Sequence, residues 1–296
     1  MRYILISDLH LTSKQPRHRT GDILKDVRRK LNFIFKLAKE KNAYIISAGD
    51  IFDSPRDIFA LYEFLKVKAK YPEIMFYVVY GQHDSYMRNK AVVNNLKILS
   101  KTYQITLLND RPIQDGLIRV YGVDWGNDQI PIPLDNEFKF NILVIHAPIT
   151  NTPLWSSQEY IDAEDFLNKH KFDLIVTGDI HKDFIIKKDN RYIVNTGPIL
   201  RLEATTYNIQ HKPMCYLFDK QNQNKIEKYI IPNTDMPFDL RFKNSPDIGS
   251  DLIDIDSIKF EKDDITIDRI INKLVESHEN KKDILNILTE LEKDNV

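Results

Sequence analysis

Side chains that can bind divalent cations follow five separate apolar runs of this sequence. The runs cover residues 2–7, 44–48, 75–80, 141–145 and 174–177. The candidate metal-binding and proton-transferring residues after them are Asp8, His10, Asp50, Gln82, His83, His146, Asp179 and His181. Carboxylates, imidazoles and an amide, with no thiolate among them, favour Mn, Fe or Zn over copper or an iron–sulfur cluster.

This donor set suits a pair of cations acting on a phosphate. Two divalent ions about 3.5–4 Å apart bind both non-bridging phosphate oxygens and lower the pKa of a bridging water. Asp50 is the candidate bridging ligand, because its carboxylate has two oxygens. His83, next to Gln82, is the candidate general acid for the leaving alkoxide. Asp53 is expected to accept a hydrogen bond from the His83 ring and to hold its orientation.

The apolar runs are predicted to be buried strands, and the segments between them read as helices. Helices are expected at 21–42, 57–70, 91–100 and 162–169, and further strands at 105–108 and 118–123. Hairpins are expected at 184–195, around Asp189-Asn190, and at 214–231. Helices between the early strands and hairpins late in the chain indicate an α/β fold, a layered sandwich with mixed β-sheets. In such sheets ligands bind beyond the carboxyl ends of the strands, where all the candidate residues fall.

The composition changes after Pro232, which divides the chain into a main domain at 1–232 and a C-terminal region at 233–296. Residues 233–250 are rich in Asp, Pro, Asn and Gly and read as a linker, with 233–260 as a reduced cap. Amphipathic patterns at 264–277 and 281–293 predict two C-terminal helices. Their apolar faces either pack back on the core or dock in the groove of a partner.

The composition is that of a soluble globular protein, with 42% hydrophobic and 29% charged residues among 296. The net charge of -1 means that any contact with nucleic acid must come from local patches. Cys215 is the single cysteine, which excludes an intrachain disulfide and suggests a cytoplasmic, reducing setting. The first apolar run is too short for a signal peptide or a membrane span, so no membrane association is expected.

The five segments resemble the calcineurin-like metallophosphoesterase superfamily, whose pattern is D-x-H, G-D, G-N-H-[DE], a lone H, and G-H-x-H. Here they read Asp8-Leu9-His10, Gly49-Asp50, Gly81-Gln82-His83-Asp84, His146 and Gly178-Asp179-Ile180-His181. The likeness extends over residues 1 to about 200. The motif sequences are most similar to those of SbcD-type nucleases, relatives of the meiotic recombination nuclease. The segments SDLHL at 7–11, GDIFDS at 49–54 and NTGP at 195–198 carry that likeness.

This resemblance implies two metal sites and a transition-state residue, His83. The first metal would take Asp8, His10, Asp50 and His181, and the second Asp50, Gln82, His146 and Asp179. Gln82 stands where the family usually has Asn, and Asp179 where it usually has His. Both still offer an oxygen to a cation, which makes the second site richer in oxygen and favours Mn²⁺. The alternative is a degraded second site.

The resemblance also implies a DNA substrate and partner proteins. The basic loop at 11–20 and the segment at 85–90 supply candidate substrate-binding residues for phosphates and a base, or else are solvated loops. These candidates are Arg17, Arg19, Tyr86 and Arg88. SbcD-type subunits work with an SbcC-like coiled-coil ATPase, which a C-terminal helical segment engages, and a homodimer is a further family expectation. Two other functions stay open: a small-molecule phosphodiesterase or phosphatase of the same fold, and a non-catalytic scaffold.

Overall fold

The computed structural model describes residues 1–87, 89–109, 112–133, 140–153, 159–233 and 237–239. The helices are α1 (Ile23–Lys41), α2 (Ile58–Lys68), α3 (Asn95–Lys101), α4 (Ala163–Lys169) and α5 (Thr206–Gln210). The strands of the first half are β1 (Arg2–Ile6), β2 (Tyr44–Ser47), β3 (Phe76–Val78), β4 (Thr106–Leu107), β5 (Ile113–Asp115), β6 (Ile118–Val123) and β7 (Phe140–His146). Those of the second half are β8 (Ile149–Thr150), β9 (Ile161–Asp162), β10 (Leu174–Gly178), β11 (Phe184–Lys188), β12 (Arg191–Asn195), β13 (Met214–Asp219) and β14 (Lys225–Ile230).

Two six-stranded mixed sheets form the centre of the described fold. The first has the order β14-β13-β1-β2-β3-β4, in which β1 to β4 are parallel and the β13–β14 hairpin joins β1 antiparallel. The second has the order β11-β12-β10-β7-β6-β5, with a parallel centre and antiparallel edges. Parallel strands point their carboxyl ends the same way, so each sheet presents one functional edge.

The two sheets pack face to face and are covered by helices on both outer sides. Strand β1 shows this arrangement, because successive side chains point to opposite faces. Tyr3 and Leu5 join the core between the sheets, which also contains Val144 and Val176 of the second sheet. Ile4 and Ile6 face the other way, into the core beneath α1 and α2. Because both faces of β1 are buried, polar and apolar residues do not alternate along it. This accounts for its continuous apolar sequence.

Helix α1 is the longest helix among the described residues and covers the outer face of the first sheet. Asp22 caps its start by accepting a hydrogen bond from the backbone N–H of Lys25, and Asn42 ends it in a left-handed conformation. Its Phe35 packs against Phe64 of α2 and Phe76 of β3, with ring centroids 6.0 Å away in both pairs. This packing fixes the layer that supports the ends of β1, β2 and β3.

The mixed α/β sandwich predicted from the sequence is confirmed, and β6, β11 and β12 have the expected bounds. Short elements went unpredicted, namely β5, the two-residue pair β8–β9 and α5. The predicted helices at 264–277 and 281–293 lie outside the described residues. Of the C-terminal region, 237–239 pairs with the loop after β1, through Thr20 N to Pro237 O at 2.7 Å. Among the helices described, none combines the length and apolarity needed to cross a membrane.

Candidate metal centre

The candidate ligands meet where the carboxyl ends of the two sheets face each other. Asp8, His10, Asp50, Gln82 and His83 follow β1, β2 and β3 of the first sheet. His146 ends β7, and Asp179 and His181 follow β10, both in the second sheet. Since β1, β2 and β3 are neighbours, as are β7 and β10, residues far apart in the sequence come to one edge. The centre therefore spans both sheets.

Ligand atoms from the two sheets approach one another closely. His10 Nε2 lies 3.0 Å from His181 Nε2. His146 Nε2 lies 3.4 Å from Asp50 Oδ2 and 3.8 Å from Asp179 Oδ1. Three groups have ligand atoms within 4.8 Å of one another: Asp8, His10 and His181; His10, Asp50 and His83; Asp8, Asp50 and His146. Neighbouring groups share members, as expected for two adjacent cation positions.

Buried acceptor atoms in this cluster have no hydrogen-bond partner within the described chain. These atoms include Asp8 Oδ2, Asp50 Oδ2 and His146 Nε2. The other polar atom of each side chain is held: Asp179 N donates to Asp8 Oδ1 at 3.0 Å, and His83 N donates to Asp50 Oδ1 at 2.9 Å. His146 Nδ1 donates to a backbone carbonyl at 2.6 Å. Each ligand is thus fixed by one atom and presents the other to a common point. A buried unsatisfied acceptor is costly, so this pattern fits divalent cations.

Glycines bring the three ligand-bearing loops into close contact. A Cβ on Gly49 would lie 2.6 Å from His146 Nδ1, and one on Gly81 would overlap Asp50 Oδ1. A Cβ on Gly178 would lie 3.1 Å from His146 Nδ1. These contacts leave no room for any larger residue at Gly49 or Gly81. In each G-D or G-Q pair, a side chain at the glycine position would collide with a neighbouring ligand-bearing loop, so glycine is required there.

Four candidate ligands adopt left-handed backbone conformations. The φ angles are 48° at Asp8, 46° at His10, 48° at Asp50 and 87° at Asp179. Positive φ is uncommon outside glycine and costs on the order of 1–3 kcal/mol per residue. Such strain clusters at binding sites, where the surrounding structure holds it in place. Here it turns the chain sharply at each strand end, so that the side chain faces the centre.

Burial and charge set the protonation of the cluster. Burial lowers the pKa of His10 to about 3, which leaves that ring neutral and able to ligate. Burial also lowers the pKa of His146, but attraction to the Asp50 carboxylate outweighs it and raises the value to about 10. Burial raises the pKa of Asp50, yet the nearby histidines, first His146, bring it to about 2.

The predicted role of the Asp53 carboxylate is wrong. His83 Nδ1 lies 3.0 Å from the backbone carbonyl of Asp53, and this carbonyl, instead of the carboxylate, accepts from the ring. The Asp53 carboxylate lies 3.7 Å from His10 Nδ1. Since a carbonyl can only accept, Nδ1 of His83 carries a proton and Nε2 is the atom left for proton exchange. The orientation of His83 is therefore fixed by the main chain.

Two positioning residues were missed by the sequence analysis. Asp84 is fully buried and accepts backbone hydrogen bonds from Ile51 N, Phe52 N and Gly81 N, at 3.3, 3.0 and 3.1 Å. It therefore joins the loop carrying Asp50 to the one carrying Gln82 and His83. Its position beside His83 in the motif was the available signal.

Asn195 holds the loop that carries Asp179 and His181. Its Nδ2 donates to Ile180 O at 2.8 Å, and its Oδ1 accepts from Gly197 N at 2.8 Å. Buried asparagines with both ends bonded cannot rotate without leaving polar atoms unsatisfied. Asn195 was noted as part of the NTGP segment, which is the signal that pointed to it.

The two unusual ligands influence each other. Burial raises the pKa of the Asp179 carboxyl, and the Gln82 side chain is among the groups that oppose this rise. Asp179 also approaches His146, and Asp50 lies between His146 and His10. Both departures from the family pattern thus fall on the same side of the centre.

The predicted substrate-binding residues lie in different environments. Arg19 is wrong as a substrate ligand, because it is buried and bonds the Asp26 carboxylate and the backbone carbonyl of Arg201. Arg17 is exposed. Tyr86 is 36% exposed, and the Arg56 guanidinium lies 4.1 Å from the centre of its ring. Arg88 lies outside the described residues.

Several solved structures are similar to this chain at low identity. No curated protein matches the sequence significantly. Among solved structures, an archaeal phosphodiesterase is similar at 15% identity and a TM-score of 0.43, covering 78% of this chain and 99% of its own. The protein TT1561 of Thermus thermophilus is similar at 13% identity and a TM-score of 0.48, with the same coverage. Vacuolar protein sorting 29 from Cryptosporidium parvum has 15% identity and a TM-score of 0.37, covering 77% of this chain and 97% of its own.

The family model described as calcineurin-like phosphoesterase matches residues 1–183. This range contains every candidate ligand, including the exposed His181 at its end. The match covers more than half of the chain. The chain therefore belongs to the calcineurin-like phosphoesterases, metal-dependent hydrolases of phosphoester bonds.

Proposed function

We propose that this chain hydrolyses phosphodiester bonds of DNA, as the nuclease subunit of an SbcCD-like repair or recombination complex. The observation that carries the hydrolytic part is the convergence of unsatisfied buried ligand atoms from Asp8, Asp50 and His146 beside His83. The DNA part is supported by the SbcD-like sequences of the motifs and by the exposed Tyr86 and Arg56, which lie three residues after His83 and Asp53 in the sequence.

A bound pair of cations would supply Lewis acidity and a bound water of lowered pKa as the nucleophile. Asp50 keeps one oxygen on His83 N and turns the other to the centre, which suits it to bridge two cations. The His83 ring is oriented by the Asp53 carbonyl, and Nε2 is the ring atom that would transfer a proton to the leaving oxygen.

Tyr86 and Arg56 form an exposed platform, with Tyr86 three residues after His83 in the sequence. Arg56 Nε donates to Val93 O at 3.0 Å, which fixes the guanidinium over one face of the Tyr86 ring. A nucleic-acid base stacks well on such planar groups, at about 1–3 kcal/mol per base. The guanidinium adds positive charge for the phosphate backbone. A platform of this kind suits a strand with flexible bases.

Further parts of the proposal concern cofactor, partners and location. We expect Mn²⁺ to be the activating ion, because oxygen ligands outnumber nitrogen ligands on the side of Gln82 and Asp179. An SbcC-like coiled-coil ATPase is the expected partner, engaged by 264–293, which lie outside the described residues. A homodimer and a cytoplasmic location complete this proposal.

Incubation of the purified full-length chain with end-labelled single- and double-stranded DNA and Mn²⁺ tests the proposal. We expect cleavage that EDTA abolishes and that Tyr86→Ala weakens about tenfold in KM, from the loss of one stacked base. Tyr103→Ala is the matched control, since Tyr103 is an exposed tyrosine on the loop after α3. DNA left intact, both alone and with the ATPase, would defeat the nuclease assignment.

The same preparation separates the two alternatives. Turnover of bis(p-nitrophenyl) phosphate with DNA left intact would identify a small-molecule phosphodiesterase. One cation or none per chain, with no phosphodiesterase turnover, would identify a non-catalytic scaffold whose second site has been lost.

A further inference from the structure

We propose that Asp124, which follows β6 in the second sheet, is a positioning residue for this centre. Its carboxylate holds the backbone that leads to His83 and also holds the loop that carries Tyr86. This inference rests on the roles that the proposed function gives to His83 and Tyr86. Asp124 belongs to none of the five motif segments and is not among the candidate ligands.

The two sheets approach each other closely near the end of β6. A Cβ on Gly122 would overlap Leu108 Cβ and lie 2.6 Å from Leu108 O, so glycine is required at this point. Leu108 follows β4, and its N–H donates to Val78 O of β3 at 3.0 Å. The close approach therefore brings the end of β6 to the end of β3, from which Gln82 and His83 follow.

Asp124 leaves β6 at the level of the metal centre. Val123 of β6 pairs with Ile145 of β7, so Asp124 and the candidate ligand His146 follow at the same level of neighbouring strands. Asp124 is 4% exposed. A buried carboxylate needs partners for its oxygens, because an unsatisfied acceptor costs free energy. Both oxygens of Asp124 have a partner, and both partners lie in the segment after β3.

The first partner is the backbone just before the motif of Gln82 and His83. Tyr80 N donates to Asp124 Oδ1 at 2.8 Å, and Tyr80 O accepts from Trp125 N at 2.9 Å. Both polar groups of the Tyr80 main chain are thus bonded to the segment after β6. These two bonds fix the point from which the chain turns toward His83.

Three carboxylates hold the backbone that leads from β3 to His83. Gly81 N donates to Asp84 Oδ2 at 3.1 Å, and His83 N donates to Asp50 Oδ1 at 2.9 Å. Asp84 lies in the same motif and Asp50 follows β2, whereas Asp124 comes from the second sheet. Loss of the Asp124 bond would let this backbone move relative to the second sheet. A displacement of about 1 Å at a reacting group can cost about 10²-fold in rate.

The second partner of Asp124 is Lys90, in the loop that carries Tyr86. Lys90 Nζ donates to Asp124 Oδ2 at 2.9 Å, with the lysine side chain 37% exposed. Arg56 Nε holds the same loop by donating to Val93 O at 3.0 Å. Arg56 follows β2 and Asp124 follows β6, so the loop is attached to both sheets. Without the Lys90 bond the loop would be held less firmly, and Tyr86 would be a less rigid surface for stacking.

Three variants separate the two roles, and a fourth is the control. Asp124→Ala removes both bonds. Asp124→Asn keeps a carbonyl oxygen for Tyr80 N but loses the ion pair, and Lys90→Met removes the ion pair alone. Asp128→Ala is the matched control, because Asp128 is an exposed aspartate four residues after Asp124 on the same loop.

Steady-state kinetics with bis(p-nitrophenyl) phosphate and with DNA, in the presence of Mn²⁺, test the inference. In Asp124→Ala, kcat for bis(p-nitrophenyl) phosphate should fall about 10–100-fold, because His83 is displaced, and Asp124→Asn should restore most of it. In Lys90→Met, KM for DNA should rise about three- to tenfold, because the stacking surface is less rigid. A kcat in Asp124→Ala equal to that of the control would overturn the inference, as would an Asp124→Asn chain as impaired as Asp124→Ala. An unchanged KM for DNA in Lys90→Met would overturn the role of the ion pair.

Hydrogen exchange of backbone amides gives a measurement that does not depend on catalysis. In Asp124→Ala the amide of Tyr80 should exchange at least about tenfold faster, because its buried acceptor is gone. In Asp124→Asn and Lys90→Met its exchange should stay close to that of the unaltered chain. Slow exchange at β1, in the centre of the first sheet, shows that each variant is folded. Unchanged exchange at Tyr80 in Asp124→Ala would contradict the proposed positioning.

These measurements distinguish this inference from the nuclease proposal. A chain that leaves DNA intact, but loses kcat for bis(p-nitrophenyl) phosphate in Asp124→Ala, would remove the DNA assignment and keep Asp124 as the positioning residue of His83. Equal DNA cleavage by the unaltered chain, Asp124→Ala and Lys90→Met would keep the nuclease assignment and remove this inference.

Discussion

Two polar clusters in this molecule, each built around buried carboxylates, balance their charges in opposite ways. One is the metal centre, and the other, the Asp26 cluster, consists of Asp26, Arg19, Arg29 and Lys30. In the Asp26 cluster Oδ1 accepts from Arg29 and Oδ2 accepts from Arg19, so the protein itself supplies both partners. In the metal centre Asp8 and Asp50 each keep an oxygen without a hydrogen-bond partner among the described residues.

The difference separates a structural cluster from a functional one. Lys30 Nζ donates to Ile199 O at 2.7 Å and lies 3.4 Å from Asp26 Oδ2, so it binds α1 to the segment after β12. Ile199 N in turn donates to Asp8 O at 3.0 Å. The satisfied cluster thus supports the backbone of a ligand, while the unsatisfied cluster is suited to bind cations. Burial and charge alone do not distinguish the two, whereas the unpartnered atoms do.

The largest effect is expected at the shared ligand. Asp50→Ala should remove both cations and reduce phosphodiesterase activity at least about 10³-fold, because Asp50 faces both positions. Metal analysis and hydrolysis of bis(p-nitrophenyl) phosphate measure this. Retention of two cations would show that Asp50 is not a shared ligand of the two cations. The metal centre would then not differ from the Asp26 cluster in the way described.

His83 is expected to act in proton transfer and not in cation binding. His83→Ala should reduce activity by about 10²–10⁴-fold, the usual contribution of a general acid, while both cations stay bound. The same metal analysis and assay measure this. Loss of both cations in this variant would place His83 among the ligands, and the assignment of proton transfer would be wrong.

The Asp26 cluster should respond in stability instead of activity. Asp26→Asn leaves Arg19 and Lys30 buried without their counter-charge, which should lower the free energy of unfolding by about 3–5 kcal/mol. Urea denaturation measures the loss, and metal titration should show unchanged binding. A stable Asp26→Asn chain with altered cation binding would reverse the roles of the two clusters.

A further effect on stability is expected from the pH dependence of Lys30. Burial lowers the pKa of Lys30 from 10.5 to about 7, so the unfolded chain binds more protons between those values. Its contribution to the free energy of unfolding should therefore rise with pH from about 7 to about 10.5. Lys30→Met should lack this rise when both chains are unfolded in urea across that range. Parallel pH profiles would contradict the assigned shift.

The sequence predicted the fold and the meeting of the ligands because both follow from local patterns. Apolar runs identify buried strands, and parallel strands must end at a common edge. By contrast, the pairing of β8 with β9 spans two residues each and depends on a distant partner, so no local periodicity marks it. The likeness of residues 1–183 to one family then supplied the chemistry.

The errors at the site have physical causes. Asp53 has both a carbonyl and a carboxylate near His83, and the sequence does not show which one accepts. Arg19 looked like part of a basic loop because its partner Asp26 lies seven residues further along the chain, on α1. In both cases the decisive fact is a distance between groups that the pattern of residue types does not contain.

The left-handed turn at Asp179 has a consequence for how such a centre can change over time. Asp, Asn and His are the residue types, besides glycine, that enter this backbone region most readily. A position with φ near 87° can therefore exchange histidine for aspartate without rebuilding its loop. The same backbone conformation can then present either a nitrogen or an oxygen ligand. Single substitutions can therefore change the cation preference of a phosphoesterase.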